Sequence, residues 1–93
     1  MDMNLENTAE RILRKLTASF APILLEIEDE SALHDGHAGH RTGGQTHFRV
    51  KIVSPAFKGM SRVAAHRAIY EVLADDMKEG GIHALALDVA EKL

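Results

Sequence analysis

His47-Phe48-Arg49-Val50-Lys51-Ile52-Val53-Ser54-Pro55, then Ala56-Phe57-Lys58-Gly59-Met60-Ser61, then Arg62 to Met77, is the stretch that decides the fold. Its first part alternates polar and apolar side chains at period two, the pattern of a strand with one buried face. Phe48, Val50 and Ile52 fall on one face, and His47, Arg49 and Lys51 on the other. Pro55 stops the strand, since the residue before a proline favours extended geometry. The middle part has helical period and extends from about Arg62 to Lys78. Val63, Ala64, Ile69, Leu73 and Met77 are its expected buried face, Ser61 its cap, and Gly80-Gly81 its end. Gly59 belongs to the turn before it, where a glycine serves either positive φ or close approach of a neighbour. Gly81-Ile82-His83-Ala84-Leu85-Ala86-Leu87 is again strand-like, over roughly 82–89. A histidine therefore stands at the head of each of these two strands.

Working outward, Leu5, Ala9, Ile12, Leu13, Leu16 and Phe20 repeat at helical spacing and predict a first helix over about 5–18, capped by Asn4 or Asn7. Pro22 excludes its continuation. The apolar run from Ile23 to Ile27 predicts a first strand over about 23–30. Ser31 to Thr46 then reads as a long polar loop with four glycines. Loops of that length in compact domains tend to be functional or disordered. A strand-helix-strand crossover makes the second and third strands parallel and right-handed. A loop joins the first two strands, most simply as an antiparallel pair. The expected fold is α+β: a small three-stranded mixed sheet with helices on one face, one domain spanning 1–93. The last four residues are a possible helical turn.

Composition narrows the function classes. The chain has 93 residues, 45% of them hydrophobic and 27% charged, with a formal charge of −3. That charge argues against a strongly basic nucleic-acid binder. No apolar run approaches the ~18 residues of a membrane span, and the N-terminus lacks the basic-then-apolar order of a secretory signal. A cytoplasmic protein without membrane contact is the simplest expectation. With no cysteine, the chain offers neither a disulfide nor a thiolate ligand. Six histidines are present, and four of them, His34, His37, His40 and His47, lie within fourteen residues. Neutral imidazole ligates zinc, copper and iron, but a glycine-rich loop must lose backbone entropy to wrap a metal. Spacing alone does not separate a loop metal site from a solvated polar loop. His66 in the helix and His47 at a strand start are expected to be structural. No nucleophile elbow and no phosphate loop is present, so an enzyme is not expected.

The ordered motifs Thr46 to Ser54, Phe57-Lys58-Gly59-Met60-Ser61, His66-Arg67-Ala68-Ile69-Tyr70 and Gly81 to Leu87 together resemble the BolA family, over nearly the whole chain. The resemblance implies an α-β-β-α-α-β layout like a type II KH domain. It also implies a monothiol glutaredoxin partner and a [2Fe–2S] cluster shared with that partner and glutathione, with no cofactor in the isolated chain. In that arrangement His83 is one ligand. The second, in the histidine-type subgroup, maps best onto His37, with His34 and His40 as alternates. Imidazoles replacing thiolates on one iron have a precedent in Rieske centres, which suits a cysteine-free chain. The resemblance further implies an alternative role as a DNA-binding transcriptional regulator. Lys58, Gly59, Arg62 and Arg67 would be the contact residues, extended by Arg49 and Lys51 into a modest patch. Ala65 departs from the family pattern, in which a basic residue commonly precedes the His-Arg pair. Alone, the chain is expected to be a monomer or weak homodimer.

Overall fold

The computed structural model describes residues 6–30, 46–78 and 81–93. The elements are α1 (Thr8–Phe20), β1 (Leu24–Asp29), β2 (His47–Val53), a 3₁₀ turn (Pro55–Phe57), α2 (Arg62–Val72), a second 3₁₀ turn (Ala74–Met77) and β3 (Ala84–Ala90). The loop expected between the first two strands lies outside the described residues, except for Thr46, as does Gly80.

The first helix starts where its cap is strongest. The Asn7 side chain accepts from the Glu10 amide at 2.8 Å, and the Glu10 carboxylate accepts from the Asn7 amide at 3.0 Å. This reciprocal box satisfies two otherwise orphaned donors and chooses Asn7 over Asn4. The helix ends at Ala21, in the left-handed region (φ 43°) just before Pro22. Its buried residues are Ile12 and Leu16, one turn apart.

The sheet has the order β1-β2-β3. β2 pairs antiparallel with β1, from Leu24↔Val53 to Asp29↔Phe48. It pairs parallel with β3, from His47↔Ala84 to Val53↔Ala90. Phe48, Val50 and Ile52 point into the core with Ile12, Leu16, Phe57, Ala65, Ile69, Leu73 and Ile82; Leu25, Ile27, Leu85, Leu87 and Val89 pack against it. Both helices thus cover one face, and Glu26, Glu28, Arg49, Lys51 and Asp88 occupy the exposed face.

Two expectations about the second helix need correction. Its core residues are Ala65, Ile69 and Leu73, four apart, whereas Val63 (60% exposed) and Ala64 face solvent. The apolar count at 63 and 64 suggested otherwise, but the sheet lies against the stripe that starts at Ala65. The α-helix also stops at Val72 rather than Lys78. It tightens into the turn Ala74–Met77, where the Asp76 amide bonds the Leu73 carbonyl at 2.8 Å. That turn takes the place of the second helix in the α-α step of the expected order. At the other end, β3 begins two residues later than expected and runs through Ala90, and the last three residues form no helical turn.

Gly59 has φ 82° and open space where a Cβ would stand, so positive φ, not crowding, is why a glycine sits there. Just before it, Ser54 is fully buried. Its hydroxyl donates to the Phe20 carbonyl at 2.6 Å and accepts from the Ala56 amide at 3.0 Å. Its own amide bonds the Ala90 carbonyl at 3.0 Å. One residue therefore ties the end of α1 to the ends of β2 and β3. The rings of Phe20 and Phe57 pack beside it, centroids 4.9 Å apart.

Asp76 is the one buried charge among the described residues. Its two carboxylate oxygens accept from Arg11 Nε at 2.6 Å and Lys15 Nζ at 2.7 Å. Burial raises the carboxyl pKa, but the hydrogen bonds from Lys15 and Arg11 outweigh it and hold the group below its ordinary value. The folded state therefore binds this proton less readily than the unfolded chain. The resulting stability is complete above the unfolded value of ~3.9 and is lost as pH falls through the lower folded value. Asp76→Asn is expected to cost about 2 kcal/mol at neutral pH and to flatten the acid limb of stability against pH. Denaturant unfolding between pH 7 and pH 2 checks this; an unchanged acid limb would contradict it.

Candidate functional site

The parallel pairing of β2 and β3 brings their two starts to the same end of the sheet. His47 is the first residue of β2 and lies in register with Ala84. His83 immediately precedes β3 instead of lying within it, yet its backbone is fixed. The His83 and Ala84 amides both donate to the Thr46 carbonyl, at 2.6 and 3.1 Å. The side chain of His83 is exposed. Its ring stacks on that of His47, with centroids 5.6 Å apart and planes 6° from parallel. His47 Nδ1 lies 2.9 Å from Thr46 Oγ1, which orients that ring. Phe48, the next residue, is buried and anchors the pair to the core.

β1 ends at the same place, because the Glu30 amide donates to the His47 carbonyl at 2.7 Å. Arg49, on the exposed face of β2, pairs with Glu30 at 2.9 Å, and that hydrogen bond raises the arginine pKa further. His34, His37 and His40 lie outside the described residues. The described chain stops at Glu30 and resumes at Thr46, both at the end that carries His83. Among the described residues no group of three or more His, Asp or Glu is placed to hold a metal ion. The described side chains at this end include two imidazoles, with the Glu30 carboxylate paired to Arg49. Imidazole is the donor type that replaces thiolate on one iron of a [2Fe–2S] unit in Rieske centres, and this chain has no thiol.

Sequence reasoning assigned His47 a structural role, and the structure sets it beside His83. The signal was available: two parallel strands, each with a histidine at its head, must present those histidines at one edge.

The residues proposed for nucleic acid divide differently. Lys58, Gly59, Arg62 and Arg67 are all exposed. Lys58 and Gly59 lie in the turn, and Arg62 opens α2 after its cap, where Ser61 Oγ accepts from the Ala64 amide at 3.0 Å. Arg67 is five residues on, and at about 100° per residue it is turned well away from Arg62. Arg49 and Lys51 project from the face of the sheet opposite the helices. The five basic side chains therefore form no single patch. The turn carries exposed Met60 (43%) and Val63 (60%) among its charges. A groove beside it is lined by Phe57, Met60, Arg62, Ala65, Val89 and Glu91, at the far end of β3 from His83.

A family model described as BolA-like protein matches residues 16–92. The chain belongs to the BolA-like family. It is 46% identical over 85 residues to the chloroplastic protein BOLA1 of Arabidopsis thaliana, covering 89% of this chain and 52% of that one. The chain thus spans about half the length of that relative. It is 44% identical over 78 residues to the DNA-binding transcriptional regulator BolA of Escherichia coli (strain K12), covering 84% of this chain and 70% of that one. Among solved structures, the BolA domain of SufE1 from Arabidopsis thaliana superposes with a TM-score of 0.78 at 43% identity, over 95% of this chain and 94% of that one. The α+β fold and the family expected from the sequence both stand.

In this BolA-like protein the side chain of His83 contributes no buried packing. His83→Ala is expected to change the unfolding free energy of the isolated chain by less than about 0.5 kcal/mol. Denaturant unfolding measures it. A variant that fails to fold would assign the histidine to the sheet edge.

Proposed function

We propose that this BolA-like protein is a non-enzymatic, cytoplasmic partner of a monothiol glutaredoxin and shares with it a glutathione-ligated [2Fe–2S] cluster, in iron–sulfur or iron homeostasis or redox-linked regulation. The observation that carries the reading is His83: an exposed imidazole whose main chain is pinned to the Thr46 carbonyl. A ligand held by the sheet loses little entropy on binding, whereas one on a glycine-rich loop must be ordered first. The second imidazole is assigned to His37, with His34 and His40 as alternates. His47, beside His83, is a further candidate from geometry. When bound, the cluster supplies one-electron chemistry and a transferable iron–sulfur unit; the chain contributes orientation through Thr46 and a polar, cysteine-free edge.

Anaerobic co-expression with a monothiol glutaredoxin, followed by visible circular dichroism and a metal count, tests this. His83→Ala is expected to shorten cluster lifetime by more than about ten-fold. His37→Ala should have a smaller effect, and the triple change of His34, His37 and His40 should approach that of His83→Ala. A His83→Ala heterodimer with wild-type spectrum and lifetime would refute the ligand assignment.

A second reading, a DNA-binding regulator, is favoured by the name of the Escherichia coli relative and by exposed Lys58 and Arg62 on one turn. It predicts salt-dependent DNA binding, with the slope of log K against log salt falling by about 1 for each of Lys58→Gln and Arg62→Gln. Titration between about 50 and 200 mM salt measures it. Affinity indifferent to both changes would remove the idea.

A further inference from the structure

The turn Ala74–Met77 and its buried carboxylate take no part in the site described above, yet they stand directly before it in the chain. Asp76 is held by its side chain and by its backbone at once. Arg11 and Lys15, one turn apart on α1, donate to its two oxygens. Its main-chain carbonyl accepts from the Ile82 amide at 2.7 Å. Gly81 packs so closely on that carbonyl that a Cβ there would overlap it. Ile82 is buried in the core, and the next residue is His83.

The approach to His83 is thus clamped from two directions. On one side the Thr46 carbonyl of the β2 edge receives its amide. On the other, α1 reaches across 61 and 65 positions of sequence to grip the residue that hydrogen-bonds Ile82. We propose that the Arg11–Asp76–Lys15 cluster is a positioning device for His83, fixing through Ile82 the backbone from which the imidazole projects. The purpose assigned to it rests on the reading of His83 as a ligand; the positioning itself does not. Asp76 touches neither histidine ring, so it acts through the backbone of 81–83. A merely stabilising ion pair would strengthen all parts of the domain alike. A positioning device holds residues 82–84 locally.

Amide hydrogen exchange separates these cases without any partner. The comparison is among wild type, Asp76→Asn, the milder Lys15→Gln, and the core variant Ile69→Val. The last lowers global stability and leaves the cluster intact. In Asp76→Asn the His83 and Ala84 amides are expected to exchange at least ten-fold faster relative to Val50 and Ile52. Lys15→Gln should act in the same direction and less. In Ile69→Val all four amides should move together. If His83 and Ala84 follow Val50 and Ile52 in every variant, positioning is overturned. With a monothiol glutaredoxin present, cluster lifetime is expected to fall further in Asp76→Asn than in Ile69→Val, and equal lifetimes overturn the link to ligation. A wild-type chain that takes up no cluster overturns the proposed function, and with it the purpose of the clamp. The exchange result still decides the positioning.

Discussion

Everything in this domain is referred to one strand. Among the described strands β2 alone has a neighbour on both sides, antiparallel to β1 and parallel to β3. Its alternation sends Phe48, Val50 and Ile52 into the core and leaves Arg49 and Lys51 outside. A slip of one residue would exchange those faces, so burial of three large side chains fixes the register. That register then dictates where β3 begins, and hence that His83 comes to rest beside His47. The position of the candidate ligand follows from core packing several residues away.

The two candidate functional regions use opposite ends of this frame. The histidines lie where β2 and β3 start, and the Lys58–Arg62 turn lies against the end of β3. Seven strand residues at about 3.3 Å each separate them by roughly 20 Å. The turn is built by Ser54 and Gly59, and the histidine edge by Thr46 and Ile82, so the two regions share no supporting hydrogen bond among the described residues.

Much of this was legible in the sequence because local chemistry and global packing agree. Alternation over His47–Val53, the Ser61 cap and the Pro22 stop each name a structural event that one residue type performs. What was not legible required knowledge of distant neighbours. Val63 and Ala65 are both apolar in a helical stretch, and only the position of the sheet decides that Ala65 is inside. Asp76 has no local signature; its burial depends on Arg11 and Lys15, more than sixty residues earlier. The loop histidines remained unordered by spacing alone because glycines remove the local geometry from which a ligand set could be argued. That His47 lies beside His83 follows from a parallel register, which no local pattern records.

The two glycines that flank α2 and its trailing turn differ in what they permit over the drift of sequences. Position 59 needs only a left-handed backbone, and the space beside it is empty. Asparagine and aspartate visit that conformation readily enough, so the position has a short roster of acceptable alternatives. Position 81 is limited by volume, with the Asp76 carbonyl where any side chain would begin. Every other residue carries a Cβ, so no single replacement is neutral there. A lineage that lost this glycine would have to reshape the turn at Asp76 in the same step, which makes position 81 the more rigid signature of this architecture.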